Sequence, residues 1–241
     1  MFPILYQNHD LILYSYPLMM GLGWGVAYQI YFSLVASTTS QKHAHILFWG
    51  IFVSAWIGSK ILFTLTLPSL ESSDILASLS FWTGGGFVFY GGFLGGVLFL
   101  SLYHAFGFKL TLEKFWPILP ALIFGHGIGR LGCMMAGCCF GKPTDWVWGV
   151  LLHEHYRHPT QLIEAFSLMT FGFYLLKSHK PRMILFSFYL GFYGVLRFVI
   201  EQLRADEVRG QWGSLTPSQW ISILLISSGV FIYLRSKKSA T

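Results

Sequence analysis

The sequence predicts an all-α integral membrane protein with seven transmembrane helices, its N-terminus outside and its C-terminus cytoplasmic. Three observations carry that expectation. Of 241 residues, 16 are Lys or Arg and 10 are Asp or Glu, so 11% are charged, where a soluble domain carries about 25%. Apolar residues make up 54% and aromatic residues 18%, so the few charges could not cover a soluble surface. Seven apolar stretches can be drawn, each near the roughly 20 residues that a helix needs to cross a bilayer. The same composition excludes a disordered chain. The net charge of +6 does not indicate nucleic-acid binding, because the basic residues are few and scattered.

In chain order the stretches are 11–36, 46–66, 86–106, 116–137, 160–177, 183–203 and 217–234. The first follows a leader with Asp10 and no Lys or Arg, and its length and flanks argue against a signal peptide. The second contains Lys60, which could snorkel, pair with a carbonyl or join a site. The third opens on a glycine cluster, Thr83 to Gly96, and the fourth carries Arg130. Glu164 opens the fifth, Tyr193, Arg197 and Glu201 lie in the sixth, and the seventh runs into Arg235, Lys237 and Lys238. Pro, Ser, Thr, Lys and Asp mark the breaks. No gap holds a soluble domain, so residues 1–241 read as one polytopic membrane domain.

Lys and Arg set the orientation. With the basic tail inside, nine lie on cytoplasmic loops: Lys42, Lys109, Lys114, Lys177, Lys180, Arg182, Arg235, Lys237 and Lys238. Four lie outside: Lys142, Arg157, Arg204 and Arg209. Lys60, Arg130 and Arg197 remain within spans.

Ionisable residues inside a bilayer are costly and point to a site. Tyr193, Arg197 and Glu201 are spaced by four and share one helix face. Arg197 precedes Arg204 by seven residues, which places it about 10 Å below the outer end of its span. Arg130 falls in the outer third of the fourth span. Tyr16 and Tyr90 lie near the outer starts of the first and third, and Glu164 begins the fifth on the same side. Five spans thus direct polar groups to the outer leaflet. Arg197–Glu201 could be a structural ion pair. The two arginines together suit a phosphate, because the planar guanidinium donates bidentate hydrogen bonds. A phosphate at that depth means a phospholipid headgroup.

Glycines four apart, Gly91/Gly95 and Gly92/Gly96, permit close helix approach. Gly84, Gly85 and Gly86 would break a helix and admit a ligand to the backbone. Gly127-Ile-Gly129-Arg-Leu-Gly132 matches a dinucleotide fingerprint, but no strand precedes it and it lies in a span. Cys133, Cys138 and Cys139 fall within seven residues. Packing, a reactive thiol and a disulfide all stay open for them. Their spacing fits no standard zinc motif, and no metal or cofactor is expected. His153-Glu154-His155 reads as a solvated loop.

Five segments resemble one family. They are Tyr14-Ser-Tyr16-Pro-Leu-Met, Gly85 to Gly95, Gly125 to Asp145 with Trp148-Gly-Val, Arg157 to Glu164, and Tyr193 to Arg204. Leu215-Thr-Pro-Ser-Gln-Trp220 adds a sixth. Together they resemble the prolipoprotein diacylglyceryl transferases, bacterial plasma-membrane enzymes of lipoprotein biosynthesis with seven spans. The resemblance implies transfer of the diacylglyceryl group from phosphatidylglycerol to the thiol of a prolipoprotein's lipobox cysteine. It implies no cofactor; the partners are that lipid and the signal peptide, with no nucleic acid.

On this resemblance Arg130 and Arg197 bind the phosphodiester and its leaving group, and Glu201 orients Arg197. Tyr16 and Tyr193 donate hydrogen bonds to the headgroup, and Arg204 meets the signal peptide or leaving group at the rim. Gly85, Gly86, Gly91, Gly92, Cys133, Cys138, Gly141 and Glu164 complete the substrate site. Two departures stand out. The family motif His-Gly-Gly reads Tyr90-Gly-Gly here, and Tyr is a weak base at neutral pH. The family's Asn and Glu after the helix-4 arginine are Cys133 and Cys138. Phosphate handling is kept and proton handling is changed. The alternative is a divergent lipid-linked transferase or membrane thiol enzyme with a different acceptor, working through a covalent Cys138 or Cys139 intermediate.

Overall fold

A computed structural model describes residues 2–8, 12–35, 40–65, 87–108, 115–205 and 213–238. Seven helices are present among these residues: α1 Ser15–Val35, α2 Gln41–Leu65, α3 Phe89–Ala105, α4 Ile118–Ala136, α5 Thr160–Lys177, α6 Arg182–Leu203 and α7 Pro217–Lys238. Five of them, α1, α2, α4, α6 and α7, are long and apolar enough to cross a membrane. The other two are shorter, with 17 residues in α3 and 18 in α5.

Local chemistry explains the boundaries. Pro159 and Pro181 stand immediately before α5 and α6, and Pro217 opens α7. Proline's fixed φ suits a helix start, where its missing N–H is not needed. α7 runs four residues past the expected end at 234, because Arg235, Lys237 and Lys238 complement the negative end of the helix dipole. α2 begins at Gln41 rather than 46, with the Ser40 carbonyl accepting from the Ala44 N–H.

The all-α expectation needs two additions. β1 Ile4–Gln7 pairs antiparallel with β2 Ile12–Tyr14, so the first helix starts at Ser15 rather than 11. β3 Val150–Leu152 pairs with β4 His155–Arg157. Its two-residue turn, His153-Glu154, has positive φ at both positions, 51° and 66°, the twist that a tight hairpin requires. The His153-Glu154-His155 loop is therefore the tip of a hairpin.

The chain forms two compact units. The first holds Met1–Ala27 and Leu119–Thr241. In it α4 approaches α1 and α5 through its glycines. A Cβ at Gly132 would lie 2.8 Å from Met19 Cβ, and one at Gly127 would lie 3.1 Å from Met169 Cγ. The fingerprint-like glycines are thus packing residues. α6 and α7 meet at Gly194, where a Cβ would fall 2.7 Å from Ile226 Cγ1. Ile123, Ala165, Leu168, Leu185 and Ile200 form the buried core of this unit, while Val195, Val199, Leu224 and Phe231 are exposed. Large apolar side chains turned outward along long helices fit a lipid environment.

The second unit holds Tyr28–Ile118. α2 and α3 pack backbone to backbone at Gly58 and Gly91, and at Ser54 and Gly95. Lys60 is fully buried, with its ammonium 4.1 Å from the centroid of the Phe87 ring, a cation–π arrangement. A Cβ at Gly91 would overlap the Gly58 carbonyl and stand 2.7 Å from Leu62 Cβ. Gly91→Val is therefore expected to cost about 1–3 kcal/mol through forced separation of α2 and α3. Gly96 has nothing within 4 Å of an added Cβ, so Gly96→Ala serves as a tolerated control. Thermal unfolding of both variants in detergent checks this, and equal midpoints would exclude the contact as a stability determinant.

Candidate active site

Glu164 lies one turn into α5, and only 1% of its side chain is exposed. The positive end of the helix dipole lies on the same side of α5 and favours a carboxylate there. Arg130 reaches it from α4. Its Nε donates to Glu164 Oε2 at 2.7 Å, and its second terminal nitrogen, Nη2, donates to the same oxygen. Arg197 of α6 places Nη1 3.6 Å from that oxygen and donates from Nη2 to Glu201 Oε2 at 2.6 Å. The Tyr193 hydroxyl donates to Glu164 Oε1 at 3.4 Å, and His126 Nε2 lies 3.7 Å from it. The spacing by four along α6 brings Tyr193, Arg197 and Glu201 to one face. Gly127 lets α4 come close enough to α5 for Arg130 and Glu164 to meet.

The Arg197–Glu201 pair is thus one part of a larger network. Two guanidinium groups and two carboxylates balance in charge, which makes their burial tolerable. Not every donor is used. Arg130 spends Nε and Nη2 on Glu164, and its Nη1, which has two hydrogens, donates one to Cys133 Sγ at 3.9 Å. Among the described residues, Arg197 likewise has one nitrogen within hydrogen-bond range of a carboxylate. Donors that remain on two oriented guanidinium groups are suited to a phosphate.

The thiols gather beside Arg130. α4 ends at Ala136, and Gly137 takes a left-handed φ of 73°. The Gly137 N–H donates to the Met134 carbonyl and the Cys138 N–H to the Cys133 carbonyl, at 3.2 and 3.1 Å. This is a Schellman ending, which turns the chain back over the last helical turn. It returns Cys138 to Cys133 across five positions. The three sulfurs of Cys133, Cys138 and Cys139 lie within 4.8 Å of one another as free thiols. Cys133 is buried and Cys138 exposed. Cys139 sits just outside α4. Its thiol is held below the ordinary range by hydrogen bonds with Cys133 and Cys138, and further by Arg204 and Arg130.

The other expected residues fall in three places. Tyr16, half-buried, packs against α4, its Cδ2 3.5 Å from where a Gly132 Cβ would stand. Gly141 is locked at a junction, since its N–H donates to the His158 carbonyl and a Cβ would stand 2.6 Å from His158 Cβ. Arg204 pairs with Gly141 in an isolated antiparallel bridge and is buried at 5% exposure, so it is drawn into that junction rather than displayed at a rim. Tyr90, Gly91 and Gly92 belong to the second unit, where Tyr90 is exposed. Gly85 and Gly86 lie outside the described residues.

Sequence reasoning missed two features. His126 stands four residues before Arg130, and that spacing was the available signal for its place beside Glu164. Gln161 and Thr160, both fully buried, donate to the carbonyls of Cys138 and Cys139 at 2.7 and 2.8 Å.

Similarity to known proteins covers the same elements. The model of the family described as prolipoprotein diacylglyceryl transferase matches residues 3–235. The chain is 31% identical to a phosphatidylglycerol–prolipoprotein diacylglyceryl transferase of Clostridium tetani, over 96% of each chain. It is 32% identical to the protein of Clostridium perfringens named phosphatidylglycerol–prolipoprotein diacylglyceryl transferase 2, over 95% of this chain and 93% of that one. The relative from Lactococcus lactis subsp. lactis is 29% identical over 76% of this chain and 75% of its own. The matched stretch runs from the first hairpin to the last helix and includes every residue of the arginine–carboxylate network, and the chain belongs to the prolipoprotein diacylglyceryl transferase family.

Proposed function

We propose that the network of Arg130, Glu164, Tyr193, Arg197 and Glu201 is the site at which this membrane transferase moves the diacylglyceryl group of phosphatidylglycerol to the lipobox cysteine of a prolipoprotein. The carrying observation is the pair of half-buried guanidinium groups, Arg130 bonded to Glu164 and Arg197 bonded to Glu201 with Glu164 close by, with Arg130 Nη1 not bonded to any described carboxylate. In the reaction a sulfur–carbon bond forms at the glyceryl carbon as the carbon–oxygen bond to phosphate breaks. The electron pair leaves on the phosphate oxygen, and glycerol phosphate is released. Charge therefore grows on the phosphate, where Arg130 and Arg197 hold it.

Glu164 and Glu201 act as positioning residues, since they aim the guanidinium groups without touching the reacting atoms. Tyr16 supplies a hydroxyl donor for the headgroup, while the Tyr193 hydroxyl, which donates to Glu164, helps to hold that carboxylate beside the site. Tyr90 holds the motif position of the family's histidine and handles a proton there as donor or relay. Gly85, Gly86, Gly91, Gly92, Gly141 and Arg204 are assigned to substrate binding by their motif positions in the sequence alone. The chain is one polytopic domain of seven spans, N-terminus outside and C-terminus inside, in the bacterial plasma membrane. The transfer then occurs at the outer leaflet.

Expression in cells depleted of their own transferase tests this. A lipobox peptide should gain the mass of a diacylglyceryl group, and absence of that gain overturns the function. Tyr90→Phe should lower the transfer rate, and full activity would remove Tyr90 from proton handling.

A further inference from the structure

We infer that Cys133, Cys138 and Cys139 hold a zinc ion whose open fourth position takes the acceptor thiol of the prolipoprotein. The metal site stands on the geometry of this chain. The identity of its fourth ligand rests on the transfer reading above.

The three sulfurs lie within 4.8 Å of one another. Ligand sulfurs at about 2.3 Å from a tetrahedral zinc stand about 3.8 Å apart. A contraction of roughly an ångström closes the site. The Schellman turn at Gly137 brings Cys138 back over Cys133. Adjacent side chains on an extended chain point to opposite sides. Cys139 instead takes a left-handed φ of 62°, and its sulfur joins that of Cys138. Gln161 and Thr160, both fully buried, anchor the carbonyls of these two cysteines to α5. Metal ligands are commonly oriented by such outer hydrogen bonds.

A packing role does not account for the cluster, because Cys138 is exposed. Three thiolates around a divalent zinc carry one net negative charge. Arg130 Nη1, 3.9 Å from Cys133 Sγ, offsets it. Zinc suits the site on two counts: thiolates are soft ligands, and it undergoes no redox change.

Three protein ligands and one open position are the arrangement of catalytic zinc. A thiol that enters the fourth position is deprotonated by the metal. Its proton passes to solvent. The bound thiolate attacks the glyceryl carbon, the carbon–oxygen bond breaks, and the phosphate monoester leaves as its dianion. No oxidant or reductant is needed. The acceptor thiol thus needs no side chain as its base, in a chain that has Tyr90 where the family motif has histidine, and Tyr90 keeps its place as donor or relay. The thiols stand beside Arg130, so the phosphate and the acceptor are presented at adjoining places.

The full-length protein, purified in detergent without chelator, provides the test. Elemental analysis should find close to one zinc per chain. After exchange with cobalt(II), the wild-type spectrum should show thiolate-to-cobalt charge transfer and tetrahedral visible bands. A lipobox peptide with cysteine should raise the charge-transfer band by about a third, from three thiolates to four, and the serine peptide should not. Cys138→Ala, an exposed position, should lower the band in the free protein by about a third. Wild-type protein that retains no zinc and shows no such band overturns the metal site. So does a mass deficit showing that two of the thiols are joined as a disulfide. A band that ignores the cysteine peptide overturns the fourth ligand. Transfer is followed separately by peptide mass. Its absence overturns the function reading, while the zinc content and the free-protein spectrum still judge the metal site.

Discussion

Replacing Glu164 with alanine is expected to destabilise the protein by about 3–5 kcal/mol and to abolish transfer. The reason lies in what the carboxylate holds. Its oxygens receive two nitrogens of Arg130 and the Tyr193 hydroxyl, with Arg197 and His126 close by. Loss of the carboxylate leaves Arg130 without its ion pair at 11% side-chain exposure. An uncompensated buried charge costs far more than the intact pair gains. For a chain of this size the loss corresponds to a fall in melting midpoint of about 10 °C. Glu164→Gln separates the two effects. It keeps the volume and an acceptor for Tyr193, so most of the packing survives while the charge is lost. Its expected midpoint lies between those of wild type and Glu164→Ala, and its transfer stays low. Thermal unfolding with transfer measured on the same preparations decides this. A wild-type midpoint for Glu164→Ala would mean that the network contributes nothing to the fold.

Arg130→Lys is the second large effect, and it acts on chemistry more than on stability. Lysine retains the positive charge, so Glu164 keeps a partner. The planar fork is lost, and with it the ability to hold Glu164 and a phosphate oxygen at once. Removal of one donor aimed at developing charge typically lowers turnover by about 10²–10³. A loss of that size is expected for Arg130→Lys, with a midpoint near that of wild type. Arg130→Ala should lose transfer altogether and unfold at lower temperature. The readout is the mass gain of a lipobox peptide over time. Arg130→Lys working at a third of the wild-type rate or better would exclude bidentate phosphate binding.

Much of this was legible along the chain because the rules involved are local. An apolar run of about 20 residues favours a helix wherever it packs, and the expected stretch 160–177 coincides with the helix α5. Four-residue spacing placed Tyr193, Arg197 and Glu201 on one face. The fourth stretch, drawn to 137, ends within one residue of α4, although the effect of Gly137 on the cysteines was not legible. The two hairpins escaped notice because each strand has only three or four residues, too short for a period-two pattern to stand out. Arg204 read as a rim residue because its charge was judged without the backbone bridge to Gly141 that draws it inward.

The central pairing could not be read locally. Arg130 and Glu164 are 34 residues apart, with the loops and hairpin between them. Sequence placed both near one membrane level but not in contact. Contact depends on how closely α4 and α5 approach, and Gly127 decides that by leaving room for Ala165 and Met169. The same holds for the thiols: the spacing of Cys133, Cys138 and Cys139 matches no metal motif, yet a left-handed turn and two anchoring side chains gather their sulfurs. By itself the sequence determined the solvent, the helices and the helix faces, because hydrophobicity and 3.6-residue periodicity act over one turn or one span. Only the tertiary structure decided which charges meet and which thiols converge, because those contacts depend on interhelical distances that no local pattern records.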